Sequence, residues 1–124
     1  MKTKAEKQAY VKAGRRAENL ACLYLRLKGY RILERRFKVR GGEVDIVAQK
    51  KNIIVMIEVK QRASASAAQM SVSADNQSRL MDAAEIYINQ NRKLHGTDFE
   101  LRYDFFYVIG RWNVQHITNA FQGY

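Results

Sequence analysis

The chain has 124 residues, 47% hydrophobic and 27% charged, a composition typical of one globular domain over 1–124 and not of a disordered tail. A single cysteine excludes an intramolecular disulfide and a cysteine-based zinc cluster, and no apolar run is long enough for a membrane span. The start of the chain is polar and carries no apolar signal core, so we expect a cytoplasmic protein.

The net charge of +10 is unevenly distributed along the chain. Residues 1–62 carry 17 basic and 6 acidic side chains, whereas residues 63–124 carry 5 and 6. This asymmetry predicts a polyanionic partner, and it favours nucleic acid over a membrane. The alternative is a basic surface that is simply well solvated.

The first predicted elements are a helix and a meander of three strands. Small and apolar residues recur at helical spacing over 5–28, and Gly29 follows as a C-terminal stop. Strands are predicted over 30–37, 43–49 and 53–59, joined by short turns, which favours antiparallel pairing. The third strand is almost continuously apolar, as expected of a strand that is covered on both faces.

The second half of the chain predicts a loop, a helix and two more strands. Residues 63–73 are small and polar and indicate a mobile loop, and helical periodicity returns over 75–93. Strands are predicted over 99–109 and 112–117. The second helix would act as a crossover that sets the fourth strand parallel to a neighbour. The expected fold is α/β, with a mixed central sheet flanked by helices.

Two charged residues end the otherwise apolar third strand. Glu58 and Lys60 are two residues apart, so they share one face of the strand and lie roughly 6.6–6.8 Å apart along the backbone. A carboxylate at the end of a buried strand is costly unless it is paired or bound to a metal. A metal site and a simple ion pair between Glu58 and Lys60 both satisfy this pattern.

A third charged residue, Asp45, falls in the middle of the second strand, where aspartate is disfavoured. Strict alternation places Glu43, Asp45 and Val47 on one face and Val44, Ile46 and Ala48 on the other. A hairpin between the second and third strands would bring Asp45 beside Glu58. The alternative is a solvated outer face of the strand.

Glu18 lies within the apolar arc of the first helix, beside small residues. It is interpreted either as a third carboxylate aimed toward the core side or as a rim residue paired with an arginine. Carboxylates converging beside a lysine suit Mg²⁺ or Mn²⁺, which prefer oxygen ligands. Such an ion activates water and polarises a phosphoryl group, and a basic surface holds a polyanion, so the expected substrate is a phosphodiester.

These residues resemble the signature of the PD-(D/E)XK nuclease superfamily, which is an acidic residue on one strand and (D/E)-x-K on the next. The wider pattern resembles the YraN-like family of uncharacterised bacterial proteins, which is similar to Holliday-junction resolvases. The motifs that carry this resemblance lie at 14–18, 42–48, 58–62 and 116–121. The chain departs from the family pattern at Ala17, where Gly is usual, at Arg36, where Asn is expected, and at Asn76, where many members have Lys.

The resemblance implies a restriction-endonuclease-like core with a metal-dependent nuclease site. Asp45, Glu58 and Glu18 would be the metal ligands, and Lys60 would be the catalytic lysine. Contacts to nucleic acid are assigned to Arg15, Arg40, Gln61, Arg62 and Gln77. The role of Glu43, which matches the pattern too, stays open.

The expected function is therefore a Mg²⁺- or Mn²⁺-dependent DNA endonuclease that acts on branched or flapped DNA. The resemblance to resolvases, which are often dimers, implies a homodimer. The alternatives are a non-catalytic nucleic-acid-binding module of the same fold and a subunit that docks an acidic protein. Cys22 is expected to be a small buried residue, and the aromatic run after Phe99 is expected to be core. Asp104 in that run is expected to cap the backbone or to pair with an arginine.

Overall fold

A computed structural model describes residues 3–63, 74–96 and 98–123. The predicted loop over 63–73 lies outside these residues, except for its first position. The helices are α1 (Lys4–Leu27), α2 (Ala74–Gln90) and α3 (Arg92–His95). The strands are β1 (Arg31–Val39), β2 (Gly42–Lys50), β3 (Ile53–Arg62), β4 (Glu100–Ile109) and β5 (Asn113–Phe121).

The strands form one sheet in the order β1-β2-β3-β4-β5. All neighbouring pairs are antiparallel except β3 and β4, which are parallel in the register Glu58 to Phe105 and Lys60 to Tyr107. The chain reaches β4 from β3 through α2, as expected of a crossover. The predicted α/β fold, with an antiparallel meander and one parallel pair, is confirmed.

Helix α1 ends in a Schellman motif, as predicted from Gly29. This glycine has φ 93°, and its N–H donates to Arg26 O at 3.0 Å, while Tyr30 N–H donates to Leu25 O at 2.9 Å. The carbonyls at the end of the helix are thus satisfied, and the chain turns directly into β1. No helix in the described ranges is long and apolar enough to span a membrane.

Each face of the sheet is covered by one long helix. On one face, Ala17, Ala21, Cys22 and Leu25 of α1 pack with strand residues that include Ile57 and Phe106. On the other face, Leu80, Ala83, Ala84 and Tyr87 of α2 pack with residues that include Met56 and Tyr107. Strand β3 is buried from both sides, Cys22 is buried and free, and most of the aromatic run is core, as predicted.

The observed elements differ from the predicted ones mainly where side chains replace regular backbone pairing. The second helix stops at Gln90, since Asn91 caps it by donating its side-chain N–H to Tyr87 O at 2.8 Å. Strand β5 runs four residues beyond its predicted end. It continues through Asn119, which has φ 51° and donates its backbone N–H to an Asp104 carboxylate oxygen at 2.9 Å.

Gly42 sets the distance between β2 and α2. A Cβ at this position would collide with the carbonyl oxygen of Arg79 and lie 3.1 Å from Ala83 Cβ. The absence of a side chain therefore lets the start of β2 lie directly against the helix backbone. This contact places the first turns of α2 over the acidic residues of β2.

Candidate metal centre and nucleic-acid interface

The candidate site begins where β2 and β3 separate. Regular pairing between these strands ends at Ile46 and Ile57. Beyond this point the Asp45 carboxylate takes the place of a backbone partner, because its Oδ2 accepts the Val59 N–H at 2.8 Å. The separated strands leave room for side chains between them, and Asp45 is anchored in the gap.

The predicted alternation of β2 is wrong at Val44. Val44 packs in the α2-side cluster together with Val47, whereas Ile46 and Ala48 pack in the α1-side cluster. Alternation thus breaks around Asp45, which lies opposite Arg36 between the pairs Arg35–Ile46 and Phe37–Val44. A local irregularity of this kind bends a strand and redirects one side chain.

Asp45, Glu58 and Lys60 line one pocket of about 290 Å³, as the sequence predicted for these three residues. Glu43 joins them from β2, and Asn76 and Arg79 close the pocket from α2. Lys60 Nζ lies 2.9 Å from Glu58 Oε1, so the ion pair considered from the sequence forms within the same pocket. Among the residues that the structure describes, the pocket therefore brings together three carboxylates and two cationic side chains.

The carboxyl group of Asp45 has a raised pKa in the pocket. Burial, which disfavours the charged form, raises its pKa from 3.8 to about 7, against the lowering effect of the Val59 N–H. The negative charges of Glu43, Glu58 and Glu18 raise the pKa further. A cation entering the pocket would relieve this repulsion.

The donors in the pocket fit a hard divalent cation through two carboxylates. Asp45 and Glu58 supply oxygen ligands, and Mg²⁺ commonly binds one or two carboxylates and completes its shell with water and phosphate oxygens. Within residues 3–63, 74–96 and 98–123, no three acidic, histidine or cysteine side chains form a group that could hold an ion together. A ligand shell at this site therefore needs oxygens from water or substrate.

Glu18 lies on α1, whereas the helix residues of the pocket belong to α2 on the other face of the sheet. Its carboxylate is nearly buried and accepts from Arg35 Nε and Arg36 Nε, both at 3.2 Å. This is the arginine pairing considered as the alternative in the sequence. Its predicted role as a metal ligand stays a prediction, and it requires release from two guanidinium groups.

Arg36 reaches Glu18 through an unusual backbone conformation. Its φ of 54° is in the left-handed region, which is uncommon for residues other than glycine but several-fold enriched in asparagine. This conformation allows two consecutive residues of β1, Arg35 and Arg36, to contact the same carboxylate. It also gives a physical reason for the asparagine that the family resemblance leads us to expect at this position.

The residues assigned to nucleic-acid contact lie around the sheet end that carries the pocket and on the two long helices. Arg40 and Arg15 are exposed, on the β1–β2 turn and on α1, and Gln77 is half-buried on α2. Gln61 and Arg62 end β3 directly after Lys60, and Gln61 Nε2 donates to Gly110 O at 2.7 Å. Their contact with nucleic acid stays a prediction.

Sequence reasoning missed a buried charge network around Asp104. This side chain is fully buried and accepts two hydrogen bonds from Arg102, both at 2.9 Å, and one from His116 Nε2 at 2.7 Å. Tyr30 accepts from Arg102, and Lys28 Nζ lies 3.2 Å from His116 Nδ1. The predicted pairing of Asp104 with an arginine is confirmed, and the one available signal was an aspartate within an aromatic run.

A larger cavity of about 680 Å³ lies between α2 and the β4–β5 edge. Its floor is aromatic, with Tyr103 and Phe121 stacked at 4.8 Å between ring centroids. Its lining carries one carboxylate, that of Glu85. The acidic and cationic groups that the proposed chemistry needs lie in the smaller pocket.

Comparison with known proteins assigns the chain to a family but not to an activity. Residues 17–108 match the model of the family described as "Uncharacterised protein family UPF0102". A UPF0102 protein of Agrobacterium fabrum is 44% identical over 108 residues, covering 87% of each chain. A UPF0102 protein of Rhodopseudomonas palustris is 43% identical over 116 residues, covering 94% of this chain and 89% of its own. These matches confirm the YraN-like resemblance.

Proposed function

We propose that this chain, which belongs to the uncharacterised protein family UPF0102, is a metal-dependent endonuclease that hydrolyses phosphodiester bonds in DNA. The observation that carries the proposal is the single pocket in which Asp45 of β2 and Glu58 and Lys60 of β3 meet. The restriction-endonuclease-like fold implied by the sequence resemblance agrees with this arrangement. The excess of positive charge in residues 1–62 supports a polyanionic substrate.

Asp45, Glu58, Lys60 and the Val59 N–H each have a role in the proposed reaction. Asp45 and Glu58 would hold Mg²⁺ or Mn²⁺, which supplies an activated water and a polarised phosphoryl oxygen when bound. The Val59 N–H fixes one oxygen of Asp45 and so orients its carboxylate. Lys60 places an ammonium group beside Glu58, where it would stabilise negative charge that develops at phosphorus.

The proposed ligand set rests on Asp45 and Glu58 and not on Glu18. Two arginines already neutralise Glu18 on the α1 side of the sheet. Arg79 and Asn76 of α2 line the same pocket as Asp45 and Glu58, and there they would contact a phosphate of the substrate. Gln61 and Arg62, the last two residues of β3, would add contacts directly after Lys60.

The test is cleavage of a panel of labelled linear, flapped and four-way DNAs, with and without Mn²⁺. The parent protein is expected to cleave at least one of them only with metal. Asp45→Asn, Glu58→Ala and Lys60→Ala are each expected to lower the rate at least 100-fold. Glu100→Gln, which removes an exposed carboxylate at the start of β4, is the matched control and should leave the rate unchanged. Equal rates for the parent and all three pocket variants would overturn the mechanism.

A non-catalytic nucleic-acid-binding module is the second candidate. It is favoured by the Glu58–Lys60 ion pair, which neutralises a proposed ligand, and by the pairing of Glu18 with two arginines. Calorimetric titration with Mn²⁺ separates the two functions. Heat that Asp45→Asn abolishes would support the enzyme, whereas salt-sensitive DNA binding without any heat from the metal would support the binding module.

A further inference from the structure

The β4–β5 turn presents the single tryptophan of the chain to solvent. Trp112 is 71% exposed, although tryptophan is a residue that folded proteins largely bury. The turn also carries Arg111, which is exposed beside it. The indole therefore has most of its surface available for contact with another molecule.

The turn that carries the indole is held in place from two directions. The guanidinium group of Arg16 in α1 lies over the ring, 5.7 Å from its centroid, and its Nη2 donates to Arg111 O at 3.0 Å. On the other side, Gly110 N–H donates to Arg62 O at 3.0 Å and Gln61 Nε2 donates to Gly110 O at 2.7 Å. The backbone of the turn is therefore fixed to both α1 and the end of β3, and Arg16 lies over the ring.

These contacts connect the turn to the candidate site. Gln61 follows Lys60 in β3, and the parallel register pairs Lys60 with Tyr107 and Arg62 with Ile109, so the turn lies at the same sheet end as the pocket. The indole is on the α1 side of this end, and the pocket opens on the α2 side. A nucleic-acid strand that contacts both would have to pass across the end of β3.

The charge around the indole selects the class of ligand. Arg16, Arg62 and Arg111 surround or support the turn, and the first two belong to the half of the chain that carries the excess of positive charge. A polyanion with flat aromatic groups satisfies both the guanidinium groups and the ring. Single-stranded nucleic acid combines these properties, since its bases stack on aromatic side chains while its phosphates bind Arg and Lys.

We propose that Trp112 stacks on an unpaired base next to the phosphodiester that occupies the Lys60 pocket. The substrate class is then DNA with a single-stranded segment at the cleavage site, such as a flap or a branch. This deepens the proposed function and rests on it for the position of the cleaved bond. The stacking itself is independent of catalysis and is measured separately.

The experiment uses the fluorescence of the single tryptophan, excited at 295 nm, with EDTA present so that no cleavage occurs. A dT12 oligonucleotide is expected to quench the emission, and a blunt 12-base-pair duplex to quench it less at equal occupancy. Anisotropy of labelled dT12 is expected to show about tenfold weaker binding for Trp112→Ala and less than threefold for Trp112→Phe, which retains a stacking ring. Leu27→Ala, which trims an exposed apolar residue at the other end of α1, should bind as the parent does.

Equal binding of dT12 by the parent and Trp112→Ala, or equal quenching by duplex and single strand, would overturn the proposal. A blue shift with anionic phospholipid vesicles and no quenching by dT12 would also overturn it, and would assign the turn to a membrane surface. The stacking of Trp112 and the cleavage of DNA are tested by separate measurements, so each can fail without the other. Quenching without cleavage leaves the stacking role intact, and metal-dependent cleavage without quenching removes only the role of Trp112.

Discussion

Asp45 and Asp104 solve the same structural problem in opposite surroundings. Each lies within a strand at an irregular point of the sheet, and each accepts a backbone N–H from the neighbouring strand. Arg102 and His116 complete the shell of Asp104, and together with the Asn119 N–H they hold its pKa below its usual value against the effect of burial. At Asp45, burial and then the acidic neighbours raise the pKa to about 7. The Asp104 carboxylate thus lies among donors and cations of the protein, whereas the Asp45 carboxylate lies in a pocket with other carboxylates.

The largest expected effect is the loss of stability in Asp104→Asn. This change removes the charge that Arg102 and His116 share, and it leaves a cation without its partner inside the protein. The free energy of unfolding is expected to fall by about 3–5 kcal/mol, measured by urea denaturation. Asp45→Asn should not lower it at pH 7, because the variant no longer places a charge in the buried part of the pocket. Equal losses for the two variants would contradict the contrast between the sites.

Metal is expected to stabilise the protein through the pocket of Asp45 and not through the network of Asp104. At a Mn²⁺ concentration of 100 times Kd and pH 8, linkage predicts a gain of about 2.7 kcal/mol in the free energy of unfolding. Asp45→Asn should abolish this gain, whereas Asp104→Asn should retain it from a lower baseline. Urea denaturation with Mn²⁺ or EDTA measures the gain, and an equal gain in Asp45→Asn would place the metal elsewhere.

The two aspartates are expected to give opposite pH dependences of stability in EDTA. Because the pKa of Asp45 is about 7 when folded and 3.8 when unfolded, the folded state binds the extra proton between these values. Stability contributed at Asp45 therefore falls as pH rises from about 4 to 7, by at most about 1.4 kcal/mol per pH unit. The pKa of Asp104 is lowered in the folded state, so its charge stabilises the protein above the unfolded pKa of 3.8. This stability is lost as pH falls below 3.8 toward the folded pKa.

Denaturation at each pH for the parent and Asp45→Asn isolates the first of these contributions. The difference between the two proteins should favour the variant increasingly as pH rises toward 7 and then level off. A difference that is independent of pH from 4 to 8 would show that Asp45 titrates normally.

The smallest expected effect belongs to Glu18, which resembles Asp104 in its partners but is nearer the surface. Arg35 and Arg36 are 34% and 41% exposed, so water can replace the carboxylate when it is lost. Glu18→Gln is expected to cost about 1 kcal/mol in urea denaturation. It should leave the calorimetric Kd for Mn²⁺ unchanged. A tenfold weaker Kd would instead restore Glu18 as a metal ligand.

Much of the fold was predictable from the sequence because hydrophobic periodicity determines it. The buried run of β3 and the apolar face of α1 gave their element types directly, and the crossover through α2 predicted the parallel pair. The pocket trio followed from charged residues placed where strands disfavour them. These predictions depend on local patterns that neighbouring residues share.

The remaining features depend on irregular backbone, which periodicity does not encode. The shift of Val44 to the α2 side follows from the break in alternation around Asp45 and from the left-handed conformation of Arg36. The network of Asp104 joins Tyr30, Arg102 and His116 from three strands or their flanks. No single segment predicts such a meeting, since each residue is ordinary in its own sequence context.

The gap between β2 and β3 gives the protein a built-in spectroscopic probe. The Val59 N–H donates to the Asp45 carboxylate, so the NMR chemical shift of this amide proton responds to the charge of Asp45. Following one cross-peak in a ¹⁵N-labelled sample would titrate Asp45 and detect any cation that competes for the same oxygen. Cation binding in the pocket can thereby be measured without a substrate or an activity assay.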